Sequence, residues 1–322
     1  MTTFTDFHRS DFNADHFGDI LWRDHAGDDV LWLMNNNTPS TVAPLPAVTP
    51  DWHFKAAADF DVTGPGDSDI LWQNDNGSLA IWQMNGSAVS AIHALGPNPG
   101  PTWHVVGDND FNGDNADDIL FQNDNGTLAL WLITSASTPT IFGIFAGNQN
   151  PGPTWHVVGT GDTTGGGVPG ILWQNDNGAL ALWENAGLVG GALTFSTIAA
   201  LPAVDPSWHV KGMGDVNNDN RADIIFQNDN GAVAVWEMGG IAGTAVTAMN
   251  LINLNPGPAW HIVPGFRDIN ENTAADILFQ NDNGAAAVWE NYDSLGGGSA
   301  TFLTVLPITP NPNPNGHVWD LL

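Results

Sequence analysis

The chain has no cysteine, which excludes a disulfide framework, thiolate zinc sites and a cysteine nucleophile. Positive charge is almost as scarce. Six Lys and Arg stand against 35 Asp and Glu, a formal net charge of −29. Such a surface repels nucleic acid and anionic membranes and attracts divalent cations. No run of 18 or more apolar residues is present, so no segment reads as a membrane-spanning helix. The residues after Met1 lack the basic and apolar regions of a secretory signal. Catalytic signatures are missing too: there is no H-E-x-x-H, no G-x-S-x-G and no phosphate loop. Arg9, Arg23, Arg221, Arg267 and the single tyrosine, Tyr292, do not supply the arginine cluster and tyrosine nucleophile of a sialidase propeller. A non-catalytic chain is expected. Disorder, the ordinary reading of an acidic sequence, is opposed by 42% hydrophobic and 10% aromatic residues.

The aromatic residues that are present are periodic. All 15 tryptophans fall into three registers of one repeat. Trp22, Trp72 and Trp173 follow Ile-Leu; Trp32, Trp82, Trp131, Trp183, Trp236 and Trp289 close a downstream apolar stretch. Trp52, Trp103, Trp155, Trp208, Trp260 and Trp319 follow Pro-rich linkers. The Ile of the first motif recurs at Ile20, Ile70, Ile119, Ile171, Ile224 and Ile277, at spacings of 50, 49, 52, 53 and 53 residues. A repeat of that length suits a four-stranded propeller blade, whereas helical solenoid repeats are shorter. Residues 1–322 therefore read as a single all-β domain, a β-propeller of six four-stranded blades.

In the third repeat the four strands are expected from Trp103, over Ile119 to Gln122, from Thr127 to Trp131, and from Thr138 to Ile144. The chain ends on His317-Val318-Trp319-Asp320, one more first strand with no repeat behind it. It is expected to close the ring on the first blade, whose own candidate strand near Phe4 is weak. Asn-Asp-Asn-Gly marks a tight turn between the second and third strands, at Asn74 to Gly77, Asn123 to Gly126, Asn175 to Gly178, Asn228 to Gly231 and Asn281 to Gly284. The first repeat departs from it with Arg23-Asp24-His25-Ala26-Gly27.

Between the first and second strands lies the main chemical signal. Four nine-residue loops carry oxygen side chains at positions 1, 3, 5 and 9: Asp11, Asn13, Asp15, Asp19; Asp110, Asn112, Asp114, Asp118; Asp215, Asn217, Asp219, Asp223; and Asp268, Asn270, Asn272, Asp276. Alternate oxygens curling around one point suit Ca2+, a hard ion that takes 6–8 oxygen ligands, better than Mg2+, which retains water. The loops are not EF-hands, since no Gly stands at position 6 and no Glu at position 12. The competing reading is a set of Asx-turns with solvated carboxylates. About four structural Ca2+ sites are expected. The second repeat, with Asp61 and Asp69 around Thr63 and Pro65, and the fourth, with Asp162, Thr164, Gly166 and Gly170, are expected to be metal-free.

The pattern Asp-x-Asn-x-Asp-x-x-x-Asp, followed by Ile-Leu-Trp in a fifty-residue β repeat, resembles the FG-GAP/VCBS repeats of integrin-α-like propellers over essentially the whole chain. The resemblance implies structural calcium in the loops joining the first two strands of each blade. In fold and calcium loops the chain also resembles mushroom lectins of the Psathyrella velutina type, which implies sugar binding between blades.

Three repeated elements are candidates for ligand contact. The linker tryptophans are followed by His53, His104, His156, His209 and His261, with Asp320 in the sixth place. They read either as a sugar-stacking platform or as inter-blade packing. Gln73, Gln122, Gln174, Gln227 and Gln280 precede each turn, although a hairpin needs only Asn-Gly. They read as an inter-blade hydrogen-bond lattice or a repeated ligand site. Linkers and turns are expected on one face, the cation loops on the other. The expected function is a lectin or adhesion module engaging a carbohydrate or glycoconjugate surface, with a protein-interaction scaffold and then a polysaccharide-acting enzyme as alternatives. Abundant Asp, Asn and Gly with scarce Lys resemble bacterial proteins exported without a cleaved signal, so a secreted or cell-surface location is expected. The apolar end Asp320-Leu321-Leu322 suits a C-terminal export signal or a final strand.

Overall fold

The computed structural model describes residues 10–61, 67–134, 138–147, 149–189, 192–240, 242–265, 268–272, 274–291, 302–308 and 319–322. Phe4, Arg9, Thr63, Pro65, Arg267 and Tyr292 lie outside the described residues.

Every element among the described residues is a strand. The first repeat gives β1 (Ile20–Asp24), β2 (Asp29–Asn35) and β3 (Thr38–Pro44). The second gives β4 (Trp52–Ala58), β5 (Asp69–Asn74), β6 (Leu79–Asn85) and β7 (Ala88–Leu95). The third gives β8 (Trp103–Asn109), β9 (Asp118–Asn123), β10 (Leu128–Ile133) and β11 (Ile141–Gly147). The fourth gives β12 (Trp155–Gly161), β13 (Gly170–Asn175), β14 (Leu180–Val189) and β15 (Ala192–Leu201). β16 (Trp208–Gly214), β17 (Asp223–Asn228), β18 (Val233–Gly239) and β19 (Ala245–Leu251) follow. β20 (Trp260–Ile262), β21 (Ile277–Asn281), β22 (Ala286–Asn291), β23 (Phe302–Pro307) and β24 (Trp319–Leu321) complete the chain.

Each repeat is an antiparallel meander in a propeller-like arrangement, and β24 pairs with β1 through Trp22↔Leu321 and Asp24↔Trp319. Counted as hydrogen-bonded sheets, the structure has four sheets of four strands and one of eight, not six sheets of four. The eight-stranded sheet joins the third and fourth meanders by parallel pairing of β11 with β15, at Ala146↔Ala192 and Gly147↔Leu193. The physical reason is length: β14 and β15 are 10 residues each, so their hairpin overreaches its meander and meets the open edge of β11.

The turns also differ from expectation. Positive φ falls on the glycine alone, +90° at Gly126, and Gly126 N–H donates to Asn123 O at 2.7 Å. The turn is thus a type I corner followed by a left-handed glycine, the three-residue hairpin with a bulge, and not the two-residue Asn-Gly hairpin. A side chain at Gly126 would in addition place its Cβ 2.4 Å from Gly152 O of the following linker. Linkers and turns therefore share one end of each sheet, as expected.

Both faces of each meander are apolar, so neither can face water. Leu120, Leu128 and Leu130 of the third repeat pack on Ile171, Trp173 and Trp183 of the fourth. An aliphatic face thus meets the aromatic face of the next repeat. The last joint connects the ends of the chain: Leu278 and Val288 pack with Ile20, Trp22 and Trp32. Trp22, Trp72 and Trp173 are fully buried and alternate with the buried Phe121, Phe226 and Phe279, which confirms this register as core.

Glutamine pins these joints. Gln122 Nε2 donates to Trp155 O at 2.6 Å, and its Oε1 accepts from Val157 N at 3.0 Å. The amide thereby caps two groups that β12 leaves unpaired beside the neighbouring repeat. Gln73 does the same for Trp103 O and Val105 N, Gln174 for Trp208 O and Val210 N, and Gln227 for Trp260 O and Ile262 N. Gln280 holds Trp319 O and Leu321 N, fixing the closing strand β24. Of the two readings of these glutamines, the inter-blade lattice is the one their hydrogen bonds satisfy. The joint into β4 differs: Arg23 stands there, its guanidinium 5.0 Å from the Trp72 ring centroid. Gln122→Ala leaves a buried donor and acceptor unmatched and is expected to cost about 2–4 kcal/mol by denaturant unfolding. A change below about 0.5 kcal/mol would show that the amide is dispensable.

Candidate cation loops and ligand-facing rim

In the loops between first and second strands, the position-1 carboxylate organises the backbone. Asp110 Oδ1 accepts from Gly113 N at 2.6 Å and Asp114 N at 3.1 Å, and Oδ2 from Asn115 N at 2.8 Å. Asp11 and Asp215 act alike on Asp15 and His16 and on Asp219 and Asn220. At position 3, the Oδ1 of Asn13, Asn112, Asn217 and Asn270 each accepts the amide two residues on. At position 5, Asp15, Asp114, Asp219 and Asn272 accept in the same way from Phe17, Ala116, Arg221 and Ala274.

The position-9 carboxylate ties the loop to the sheet. Asp118 accepts from Phe111 N at 3.0 Å and from Ile133 N of β10 at 2.9 Å. Asp19, Asp223 and Asp276 repeat both bonds. Their burial is nearly complete, and it pushes Asp19, Asp118, Asp223 and Asp276 up to about 8 against the stabilising amides. Asp215 is raised to about 6 by the same desolvation.

The donor set is all oxygen, and its amides are neutral, so the loop backbone arranges the carboxylates without neutralising them. That chemistry fits a hard divalent cation. It equally satisfies an Asx-turn network, since the same oxygens serve both.

Two loops depart from the sequence reading. In the second repeat the residue aligned with Asp110 is Asp59 and not Asp61: Asp117 N donates to Asp59 O, as Ser68 N does to Asp11 O. The loop is longer, and carboxylates of Asp59, Asp61 and Asp69 lie within 4.8 Å of one another. The Asp-Phe pair shared by Asp11-Phe12, Asp59-Phe60 and Asp110-Phe111 was the signal that would have aligned it. In the fourth repeat Gly170 lacks the position-9 carboxylate, and Glu184 from β14 fills its place. A Cβ on Gly170 would lie 3.2 Å from Glu184 Oε2, while Oε1 accepts from Thr163 Oγ1 at 2.6 Å.

Neighbouring loops are also bonded. Gly18 N donates to Asp268 O, Ala222 N to Asp162 O and Ala275 N to Asp215 O. The corresponding donor toward Asp110 is replaced by Pro169, which has no N–H.

On the opposite end, each linker histidine is paired. His53, His104, His156, His209 and His261 meet Asp75, Asp124, Asp176, Asp229 and Asp282 of their own turn at 2.7–2.8 Å. In the sixth set the partners are exchanged: His25 of the turn meets Asp320 of β24 at 3.1 Å. The exchange was visible in the sequence as His25 and Asp320 standing where Asp and His stand elsewhere. All six pairs are exposed, so each contributes at most about 1 kcal/mol.

The six linker tryptophans are half-buried, each packed against the core at its joint. Trp208 also borders a cleft of about 280 Å3, with Val204, Asp205, Trp236, Asn250 and Leu251. Asn250 Nδ2 donates to Glu237 Oε1 at 2.7 Å, which holds its amide in the cleft wall. An apolar indole beside a carboxylate and an amide can stack on a ligand's apolar face and bond its hydroxyls.

No protein-family model matches the chain, and no curated protein matches it. Similar solved structures include the crystal structure of BBS1N in complex with ARL6DN, soaked with mercury, at 15% identity over 81% of this chain and 73% of that one, with a TM-score of 0.39. The crystal structure of human WBSCR16 is similar at 14% identity over 91% of this chain and 80% of that one, with a TM-score of 0.42. Neither likeness bears on function.

The buried carboxylates imply a pH dependence. Their folded values near 8 exceed the ordinary 3.8, so the folded state binds more protons than the unfolded one between these limits. Their stability contribution is full below about 4 and lost as pH rises through about 8. In chelator, the denaturation midpoint is expected to fall across that window, and Asp118→Asn to flatten the slope. A midpoint that rises with pH would refute it.

Proposed function

We propose that this chain is a calcium-stabilised propeller of the FG-GAP/VCBS type that binds carbohydrate at repeated positions on its turn face. Counted by hydrophobic joints, it comprises six blades, the eight-stranded sheet being two blades fused along β11 and β15. The observation that carries the ligand reading is the cleft at Trp208: a half-buried indole on the rim, flanked by Asp205 and Asn250. Equivalent tryptophans recur in every repeat, so several weak sites on one ring would gain avidity on a polymer or cell surface. The turn-face ring of His–Asp pairs makes that rim polar and solvated.

Calcium is assigned to the loop face, with Asp11, Asn13, Asp15 and Asp19 and their three counterparts as its ligands. Its role is countercharge: it offsets the repulsion and desolvation of carboxylates held in one loop. Asp59, Asp61 and Asp69 make the second loop a fifth candidate. The fourth, with Gly170, is excluded from the set. The reading places the protein outside the cell, without catalysis.

A protein-interaction scaffold is the second reading. Exposed apolar side chains on outer strands support it, among them Ile92, Phe142 and Leu251 at 58%, 75% and 63% exposure. Among the described residues no helix is long and apolar enough to cross a membrane.

A glycan array in calcium buffer tests the first reading. Binding to at least one glycan class is expected, weakened severalfold by Trp208→Ala; silence across the array would refute it and favour the scaffold. Calcium is tested on its own. Chelation at pH 7.5 is expected to lower the melting temperature by ~15 °C, since an ion at 100 Kd stabilises by ~2.7 kcal/mol per site, ~11 kcal/mol over four sites. An unchanged melt with no calcium by elemental analysis would remove the metal from the proposal.

A further inference from the structure

The two polar side chains of the Trp208 cleft, Asp205 and Asn250, both present acceptors. Asp205 stays a carboxylate: Ser207 N donates to its Oδ1 at 3.0 Å, and the backbone and side chain of Ser207 hold its pKa below the ordinary carboxylate value. Asn250 turns its Nδ2 to Glu237 Oε1, so its Oδ1 is the end left without a hydrogen bond among the described residues. Trp208 and the exposed Met249 and Leu251 supply the apolar part. A ligand that brings a carboxylate meets repulsion here. A ligand that donates hydrogen bonds and carries positive charge is matched, because a cation is also drawn to an indole face.

The acid is particular to this linker. Before Trp103, Trp155 and Trp260 the chain reads Asn-Pro-Gly-Pro and then Thr102, Thr154 or Ala259, with no acidic residue. Before Trp208 it reads Leu201-Pro202-Ala203-Val204-Asp205-Pro206-Ser207. Leu45-Pro46-Ala47-Val48 before Trp52 begins the same way, but Thr49 holds the place of Asp205 there. The surroundings of the cleft have one sign. Asp75, Asp124, Asp176, Asp229, Asp282 and Asp320 ring the turn face at 54–69% side-chain exposure. Asp229 is joined to the cleft's linker, its N donating to Ser207 O at 2.9 Å. Among the described residues no exposed Lys or Arg answers these carboxylates on the turn face. Arg23 is mostly covered and lies over the Trp72 ring, and Lys55 and Lys211 line the axial cavity. The net charge of −29 extends the same sign to longer range, where it gathers cations and repels anions.

We propose, on the carbohydrate reading of this rim, that the Trp208 cleft selects sugars bearing a positively charged amino group over neutral and acidic sugars. The indole takes the apolar face of the sugar ring, Asp205 pairs with the cationic nitrogen, and Asn250 Oδ1 accepts from a hydroxyl. Uronic and sialic acids are turned away by the carboxylate that attracts the amine. On a polymer of such sugars the exposed aspartates of the turn face add further weak contacts.

The test is calorimetry on the full chain in calcium buffer with three tetrasaccharides. They are glucosamine tetramer with every nitrogen trimethylated, the same tetramer N-acetylated, and tetragalacturonate. Trimethylation fixes the positive charge at any pH, so the comparison reports charge alone. At about 50 mM salt the trimethylated form is expected to bind about tenfold more tightly than the N-acetylated one, with no detectable binding of tetragalacturonate. Asp205→Asn keeps the oxygen that accepts from Ser207 N and removes the charge. It is expected to weaken the trimethylated form by about threefold to tenfold and to leave the N-acetylated form unchanged. Asp124→Asn removes the same charge from a turn two repeats away and is expected to change either affinity by less than about twofold, which separates the cleft from general attraction of a polycation. Equal binding of the trimethylated and N-acetylated forms, or an effect of Asp205→Asn no larger than that of Asp124→Asn, would refute the charge selectivity and leave the carbohydrate reading standing. Absence of binding by all three, together with a silent glycan array, removes both.

Discussion

Everything in this protein depends on the joint between consecutive meanders. A four-stranded sheet with apolar residues on both faces has no stable existence in water, because its buried surface is supplied by its neighbours. Here the neighbours are complementary: leucine-rich on one side, tryptophan- or phenylalanine-bearing on the other. A chain of such units must end by burying its last exposed face, and it does so by packing Leu278 and Val288 against Trp22 and Trp32. Strand β24, bonded to β1 and clamped by Gln280, is the hydrogen-bonded counterpart of that closure.

Hydrophobic contact sets no register by itself, and two kinds of polar contact supply it. On the turn side, glutamine amides read the backbone of the next repeat. On the loop side, each loop donates a backbone N–H to the position-1 carbonyl of the preceding loop. Each series is interrupted once, at Arg23 on one side and at Pro169 on the other. The interruptions fall at different joints, so no joint loses both kinds of contact. The fourth repeat, which carries Pro169 and Gly170, is compensated locally by Glu184 and by its extended hairpin to β11.

Much of the local chemistry was legible because it is written six times. The strands, the tryptophan registers and the four intact loops follow from residue type and spacing, which short-range rules govern. Spacing alone leaves two roles open to the glutamines, and the positions of Trp155 O and Val157 N against Gln122 supply the contacts of the lattice. Spacing does not align the second loop, because Asp61 fits the nine-residue template as well as Asp59 does. Backbone pairing of Asp59 with Asp117 makes the difference. The His–Asp pairs leave one trace in the sequence, the exchange of His25 and Asp320.

What the amino-acid sequence determined by itself is the repeating unit: its strands, the places of its turns, its acidic loops and the apolar character of both sheet faces. Those depend on periodicity and on backbone preferences that act within a few residues. Only the tertiary structure decided which unit touches which, that β11 and β15 fuse two meanders, that Glu184 replaces a missing aspartate, and that Asp205 and Asn250 line one cleft. Such relations join residues tens to hundreds of positions apart, where no local preference operates and the geometry of closing the chain on itself governs.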